Sequence, residues 1–228
     1  METKTVTTDD VLDTALRLAA DGGWEAVRLH RIAEMLGVPL TEIYRHVRQK
    51  DDLSEALFDR ADRAMLQAAD EPEFRFLLPR ERLHRVVMAW LEALAPYRHL
   101  VREMLFYKLE PPHLHLQVLG VLRVSRTVQW FLEAAGRRST GLRRSLEEVA
   151  FTSLYLATFA YWLRDDSKGA ERTQQFLRRR LEGLAGRSLF ADEGGQEMAA
   201  APVAAETVGV AQAQAQGGAA AEEGADQP

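Results

Sequence analysis

Apolar residues recur along this chain at intervals of three and four, the spacing of one face of an α-helix. Val11, Leu12, Ala15, Leu18 and Ala19 form a first stripe, opened by the capping residues Thr7, Thr8, Asp9 and Asp10 and closed by Asp21-Gly22-Gly23. Trp24 and Val27 follow as core residues after the turn. Leu53, Ala56, Leu57, Ala61, Ala64 and Met65 predict a long helix that starts at Asp51-Asp52, and residues 70–79, with two prolines, read as a connection. Leu83, Val86, Val87, Trp90, Leu91 and Leu94 form the next stripe. Pro96 breaks it, and four further helices are predicted over 97–109, 114–135, 142–164 and 170–184, separated by Pro111-Pro112, Gly136 and a turn at Asp165-Asp166. No period-two alternation stands out, so the predicted fold class is all-α.

Between the first and the long helix lies RLHRIAEMLGVPLTEIYRHVRQK, residues 28–50. Ile32, Ala33 and Leu36 line one side of a short helix, and Gly37 lets the chain leave it with positive φ. Val38 plugs the turn, and Pro39 falls in the first turn of a second short helix, where a missing N–H costs nothing. Ile43 and Val47 point inward, which leaves outward directions to Tyr44, Arg45, His46, Arg48 and Lys50. This is the layout of a helix-turn-helix, whose second helix enters a DNA major groove.

Charge changes the picture locally. The net charge of the 228 residues is −5, but seven of the 34 acidic residues lie between Ala191 and Pro228 with no Lys or Arg among them, so the body before them carries about +2. Within 28–50, Arg28, Arg31, Arg45, Arg48 and Lys50 face only Glu34 and Glu42, a local positive excess suited to phosphate. The Ala-, Gly-, Gln- and Glu-rich stretch 191–228 has too few large apolar side chains to offset its ordering entropy and is expected to be disordered. The predicted division is therefore a three-helix DNA-binding domain over 1–60, a helical ligand-binding and dimerisation domain over 61–190, and the acidic tail over 191–228.

The absence of cysteine excludes disulfides and thiolate metal sites. With a polar start, METKTVTTDD, and no apolar run of membrane-spanning length, it points to the cytoplasm. His113 and His115 stand two apart and do not share a helical face, so no metal is expected. Arg137-Arg138, Arg143-Arg144 and Arg178–Arg180 read as solvated charge, with attraction to an anionic lipid surface as the sharper alternative. No phosphate-binding Gly-rich loop or catalytic triad spacing occurs, and the chain reads as a non-enzyme without cofactor. Phe151, Leu154, Tyr155, Thr158, Phe159 and Trp162 make an aromatic stripe that is either core or the wall of an apolar pocket. The candidate ligand-binding residues are Trp90, Phe106, Trp130, Tyr155, Phe159 and Trp162.

Two resemblances sharpen these readings. VLDTALRLAADGGWEAVRLHRIAEMLGVPLTEIYRHVRQKDDLSEAL, through its GGW entry, IAEMLGV and IYRHV followed by Lys, resembles the N-terminal domain of the tetracycline-repressor family. That resemblance implies an all-helical homodimer that binds a palindromic double-stranded DNA operator and holds an inducer in its C-terminal half. By position, Tyr44 and Lys50 match phosphate-contacting residues of the family, and Thr41 and Arg45 lie where the recognition helix reaches DNA. Arg28, His46 and Arg48 complete the candidate set, with Glu42 as a possible acceptor for a cytosine amino group. Farther on, RERLHRVVMAWLEALAPYRHLVREML, TVQWFLEAAGRRST and SLYLATFAYWLRDDSKGAERTQQFLRRRLEGL resemble the lipid-binding auxiliary proteins of ubiquinone biosynthesis. The leading expectation is a transcriptional regulator, a repressor, controlled by a small hydrophobic effector. The alternative is a lipid-binding accessory protein of the same fold, with peripheral membrane contact and no specific DNA binding.

Overall fold

The computed structural model describes residues 5–109, 114–137 and 141–185, without the side chains of 106–121 and 185. The tail 191–228, the Pro111-Pro112 break, Arg138 and the side chains of Phe106, His113 and His115 lie outside the described residues. Helices α1 (Thr8–Gly22), α2 (Leu29–Leu36), α3 (Leu40–His46), α4 (Lys50–Ala69), α5 (Pro79–Leu94), α6 (Arg98–Leu109), α7 (Leu114–Ala134), α8 (Gly141–Trp162) and α9 (Glu171–Ala185) follow in order, and no strand occurs among the described residues.

Local chemistry sets the boundaries. Thr7 caps α1: its hydroxyl accepts from the Asp10 N–H at 3.1 Å while the Asp10 carboxylate accepts the Thr7 N–H at 2.9 Å. Such a box contributes about 1 kcal/mol. Gly37 ends α2 in the left-handed region at φ 67°, and the Val38 N–H turns back to the Ala33 carbonyl at 3.1 Å. Pro39 stands one place earlier than predicted, as the extended N-cap of α3 rather than in its first turn. There its fixed φ of −67° fits, and the helix needs no N–H from it. Lys50 rather than Asp51 opens α4, because the Asp52 carboxylate folds back onto the N–H groups of Arg48 and Gln49 at 2.7 and 3.2 Å.

Trp24, Ile32, Ile43 and Val47 close the bottom of the first three helices together with Leu12, Leu53 and Leu57, all of them buried. Each such side chain contributes roughly 1.5–3 kcal/mol by leaving water. α4 then runs along α5, α7 lies against α4, α5, α6 and α8, and α9 covers α5 and α8. The buried apolar cluster continues without a break from Val6 to Leu181. A polar strut joins α6 to the turn after α1: the Glu103 carboxylate accepts the Trp24 N–H at 2.6 Å, and a Cβ on Gly23 would stand only 3.3 Å from it.

Candidate nucleic-acid interface and the aromatic centre

The outward chemistry lies on α3, which is seven residues long. Ile43 and the capping Val47 turn into the core, so Leu40, Thr41, Tyr44 and Arg45 face solvent. The Arg48 guanidinium lies over the Tyr44 ring at 4.3 Å and fixes both side chains. Glu42, with 26% of its side chain exposed, holds the Arg45 guanidinium at 2.7 Å, while Arg45 itself is 76% exposed. The second Glu42 oxygen stands 3.7 Å from His46 Nε2, and His46 Nδ1 meets the Thr8 hydroxyl of α1 at 3.1 Å. His46 is therefore a support behind the face, turned toward α1. Arg28 bends onto the carbonyls of Val27, at 3.0 Å, and Glu25. Lys50 packs its ammonium 5.2 Å from the Trp24 ring, where burial and then the nearby Arg28 charge push its pKa down. Exposed Met35 on α2 carried no signal in the helical pattern beyond its outward position.

The second gathering is aromatic. Trp90 of α5 stacks on Phe58 of α4 with ring centres 5.8 Å apart, and presents its edge or face to Tyr155 at 5.6 Å, Phe159 at 5.7 Å and Phe131 at 6.2 Å. Phe159 stacks in turn on Trp162 at 5.8 Å. Of the candidate ligand residues, the fold brings Trp90, Tyr155, Phe159 and Trp162 together, ring against ring. Trp130 is 47% exposed on the outer side of α7, and its neighbour Phe131 takes the inward position. Phe58 was missed, although its spacing from Ser54, Ala61 and Met65 continues the buried face of α4. Two grooves formed by described residues open beside this centre. One of about 470 Å³ lies between α5 and α9 beside Arg80, His84 and Arg178, and one of about 280 Å³ touches the rings only at Trp162.

An ionic seam backs the rings. Asp62 accepts from Trp90 Nε1 at 2.8 Å and from the Arg123 guanidinium at 2.9 Å, and Arg123 also reaches Glu55 at 3.2 Å and Asp59. Burial raises the Asp62 pKa, and the Arg123 charge and the Trp90 hydrogen bond only partly offset it. Burial and the Asp62 charge push the Tyr155 phenol up as well, so it stays neutral. Arg137 departs from the expectation of solvated charge: it is 8% exposed and pairs at 2.9 Å with Glu147, itself 1% exposed, which also holds Arg143 at 3.2 Å. Arg178, Arg179 and Arg180 are exposed, as read. Asp165 organises the turn into α9. Burial would raise its carboxyl, but hydrogen bonds from the hydroxyls and N–H groups of Ser167 and Thr173 outweigh that and hold it at about 2. Among the described residues no three His, Asp or Glu side chains gather to hold a metal, and no helix is long and apolar enough to cross a membrane.

The fold and its outward α3 define a helix-turn-helix protein with a helical body. Residues 11–57 match the family described as "Bacterial regulatory proteins, tetR family", and residues 121–186 match the COQ9 family. A TetR transcriptional regulator from Nitrosomonas europaea is similar over 78% of this chain and 98% of its own, at 47% identity and a TM-score of 0.70. A TetR transcriptional regulator from Rhodococcus sp. RHA1 shares the fold over 77% of this chain and 93% of its own, at 20% identity and a TM-score of 0.57. No curated protein matches the chain. The chain belongs to the TetR family of bacterial transcriptional regulators.

Proposed function

We propose that this regulator is a cytoplasmic homodimeric repressor, without enzymatic activity, that binds a palindromic double-stranded DNA operator through α3. The observation that carries the reading is the surface of α3 and the turn after it, where Thr41, Tyr44, Arg45 and Arg48 face outward beside a buried Ile43 and Val47. Residues 1–60 serve as the DNA-binding part and 61–190 as the effector and dimer part. Leu142, Leu146, Val149, Ser153 and Leu156 stand exposed on α8 at alternating four- and three-residue steps, with Leu142 80% exposed. That seam suits a second copy of the chain. A small apolar effector enters among Trp90, Tyr155, Phe159 and Trp162 by parting their rings. It favours a state in which the two α3 helices no longer span one operator face. The Glu103–Trp24 strut is a route from α6 to the helix-turn-helix.

The test is selection of genomic fragments by the purified protein. Retained fragments should share a palindrome with half-sites about one helical turn, roughly 34 Å, apart. Affinity should fall steeply between about 50 and 200 mM salt, and Tyr44→Ala and Lys50→Ala should weaken binding to every sequence alike. Equal affinity for the best fragment and a scrambled duplex sinks the operator reading. The COQ9 match over 121–186, together with the ring-lined centre, favours a second reading: a lipid-binding accessory protein that keeps the fold without reading DNA. A co-purifying apolar lipid combined with no retained fragment is the result that selects it.

A further inference from the structure

We infer that Arg45, aimed by Glu42, reads a guanine in the major groove of the operator, and that this pair sets the sequence preference at one position of each half-site. The inference rests on the operator-binding reading above and adds the base that α3 recognises.

The geometry separates Arg45 from the other cations of the helix-turn-helix. Arg28 is bent onto backbone carbonyls, Lys50 is partly buried beside Trp24, and Arg48 lies flat on Tyr44. Arg31 pairs with Glu34 at 3.0 Å, but on α2; Arg45 is the one that extends outward from α3 itself, in its last turn, with a carboxylate against one of its nitrogens: Nη1 meets Glu42 Oε2 at 2.7 Å. Glu42 itself is largely covered, with 26% of its side chain exposed. Its other oxygen faces His46, and His46 is tied to Thr8 at the start of α1. His46 Nε2 stands 3.7 Å from that oxygen, beyond hydrogen-bond range, so the group that places Arg45 is the Glu42 carboxylate itself. A long side chain that is pre-positioned loses less freedom on binding, which suits a contact with exact geometry.

The chemistry of the pair selects its partner. An arginine with a carboxylate at 2.7 Å is close to neutral as a unit, so phosphate, which is attracted to the cation and repelled by the carboxylate, gains little from it. A neutral group with two acceptors gains fully. In the major groove that group is guanine, whose O6 and N7 accept two N–H bonds from one guanidinium edge. With Nη1 engaged by Glu42, the guanidinium still offers its other N–H donors. The cytosine paired with that guanine presents an amino donor, which a neighbouring carboxylate tolerates. Glu42 is thus a positioning residue, and its placement answers how a carboxylate can stand on a DNA-reading helix.

The experiment is selection from a randomised duplex pool with the full chain and with Arg45→Ala, Arg45→Lys and Glu42→Gln, sequencing what each retains. Wild type should enrich a half-site containing a guanine whose preference disappears in Arg45→Ala, with affinity for the selected site falling roughly ten- to a hundredfold. Arg45→Lys should not restore it, since an ammonium cannot reproduce the bidentate edge. Glu42→Gln should blur the same guanine position while raising affinity for scrambled DNA, an opposite pair of changes that a merely structural role would not produce. Preferences that all survive Arg45→Ala overturn the inference and leave operator binding intact, as does loss of preference for a base other than guanine. A guanine preference untouched by Glu42→Gln overturns the positioning role. Failure of wild type to enrich any motif overturns both this inference and the reading beneath it.

Discussion

Two regions of the molecule handle ion pairs in opposite ways. On α3 the Glu42–Arg45 pair lies within one helical turn at the surface, and its cation is 76% exposed. At the α7–α8 corner the Arg137–Glu147 pair ties the turn after α7 to α8, with its side chains 8% and 1% exposed. The first costs little desolvation and holds little stability, because water screens it. The second removes two charges from water and stays favourable only while both partners are present. The difference teaches where the chain can spend charge on recognition. At α3 the exposed guanidinium can add a nucleic acid partner while it keeps its carboxylate, whereas at the corner parting the pair leaves a charge buried.

The largest expected effect tests the buried side. Glu147→Ala leaves the Arg137 guanidinium buried without its carboxylate and should cost about 3–5 kcal/mol in urea unfolding. A loss below about 1 kcal/mol would mean that water reaches the corner, and the contrast with α3 would collapse. The double change Arg137→Met with Glu147→Leu should recover most of that loss, because the buried guanidinium goes together with its carboxylate and the Arg143 charge that remains is 42% exposed to water.

The next effect is set by Asp165, whose four hydrogen bonds overcome burial to hold its carboxyl at about 2, below the ordinary 3.8. The unfolded chain binds a proton there at higher pH than the native one does. The stabilisation, about 2 kcal/mol for such a shift, is therefore complete above the unfolded value and is lost as pH falls toward 2. Asp165→Asn should be less stable than wild type at pH 6, and the gap should shrink on acidification between roughly pH 4 and 2. A gap that is constant over that range would show that the hydrogen bonds, not the charge, carry the difference.

How much of this was legible beforehand follows from what periodicity encodes. The three- and four-residue stripes located each helix within a residue or two, and Gly37 and Trp24 marked the turns around α2. Periodicity specifies a face, however, not the partner across it. The Arg123–Asp62 bond joins residues 61 apart in sequence, and nothing local announces it. Arginines next to glycine read as solvent-facing by default, so Arg137 was misplaced. Trp130 and Phe131 are neighbours about 100° apart on a helix, and only one of them faces inward, although adjacent residues such as Trp90 and Leu91 both do. The pattern did not say which one does. On α3 the outward directions were readable, but the Glu42–Arg45 pair and its backing by His46 required the coordinates, because a carboxylate three residues before an arginine can equally point to solvent.

The smallest expected effect on stability is the one that most sharpens the comparison. Arg45→Ala removes a guanidinium that touches no buried group, and it leaves Glu42 with 26% of its side chain exposed and His46 beside it. Exposed pairs three or four residues apart on a helix contribute about 0.3–0.5 kcal/mol, and a truncated arginine at the surface loses little packing. Unfolding of Arg45→Ala and of Glu42→Gln should therefore stay within about 0.5 kcal/mol of wild type, with unchanged cooperativity. The same two variants should differ from wild type in which DNA they retain. A pair that is nearly silent in unfolding and decisive in selection is a recognition device. A pair whose loss costs about 2 kcal/mol or more would instead belong with Arg137–Glu147, as a brace for a seven-residue helix too short to stand without support.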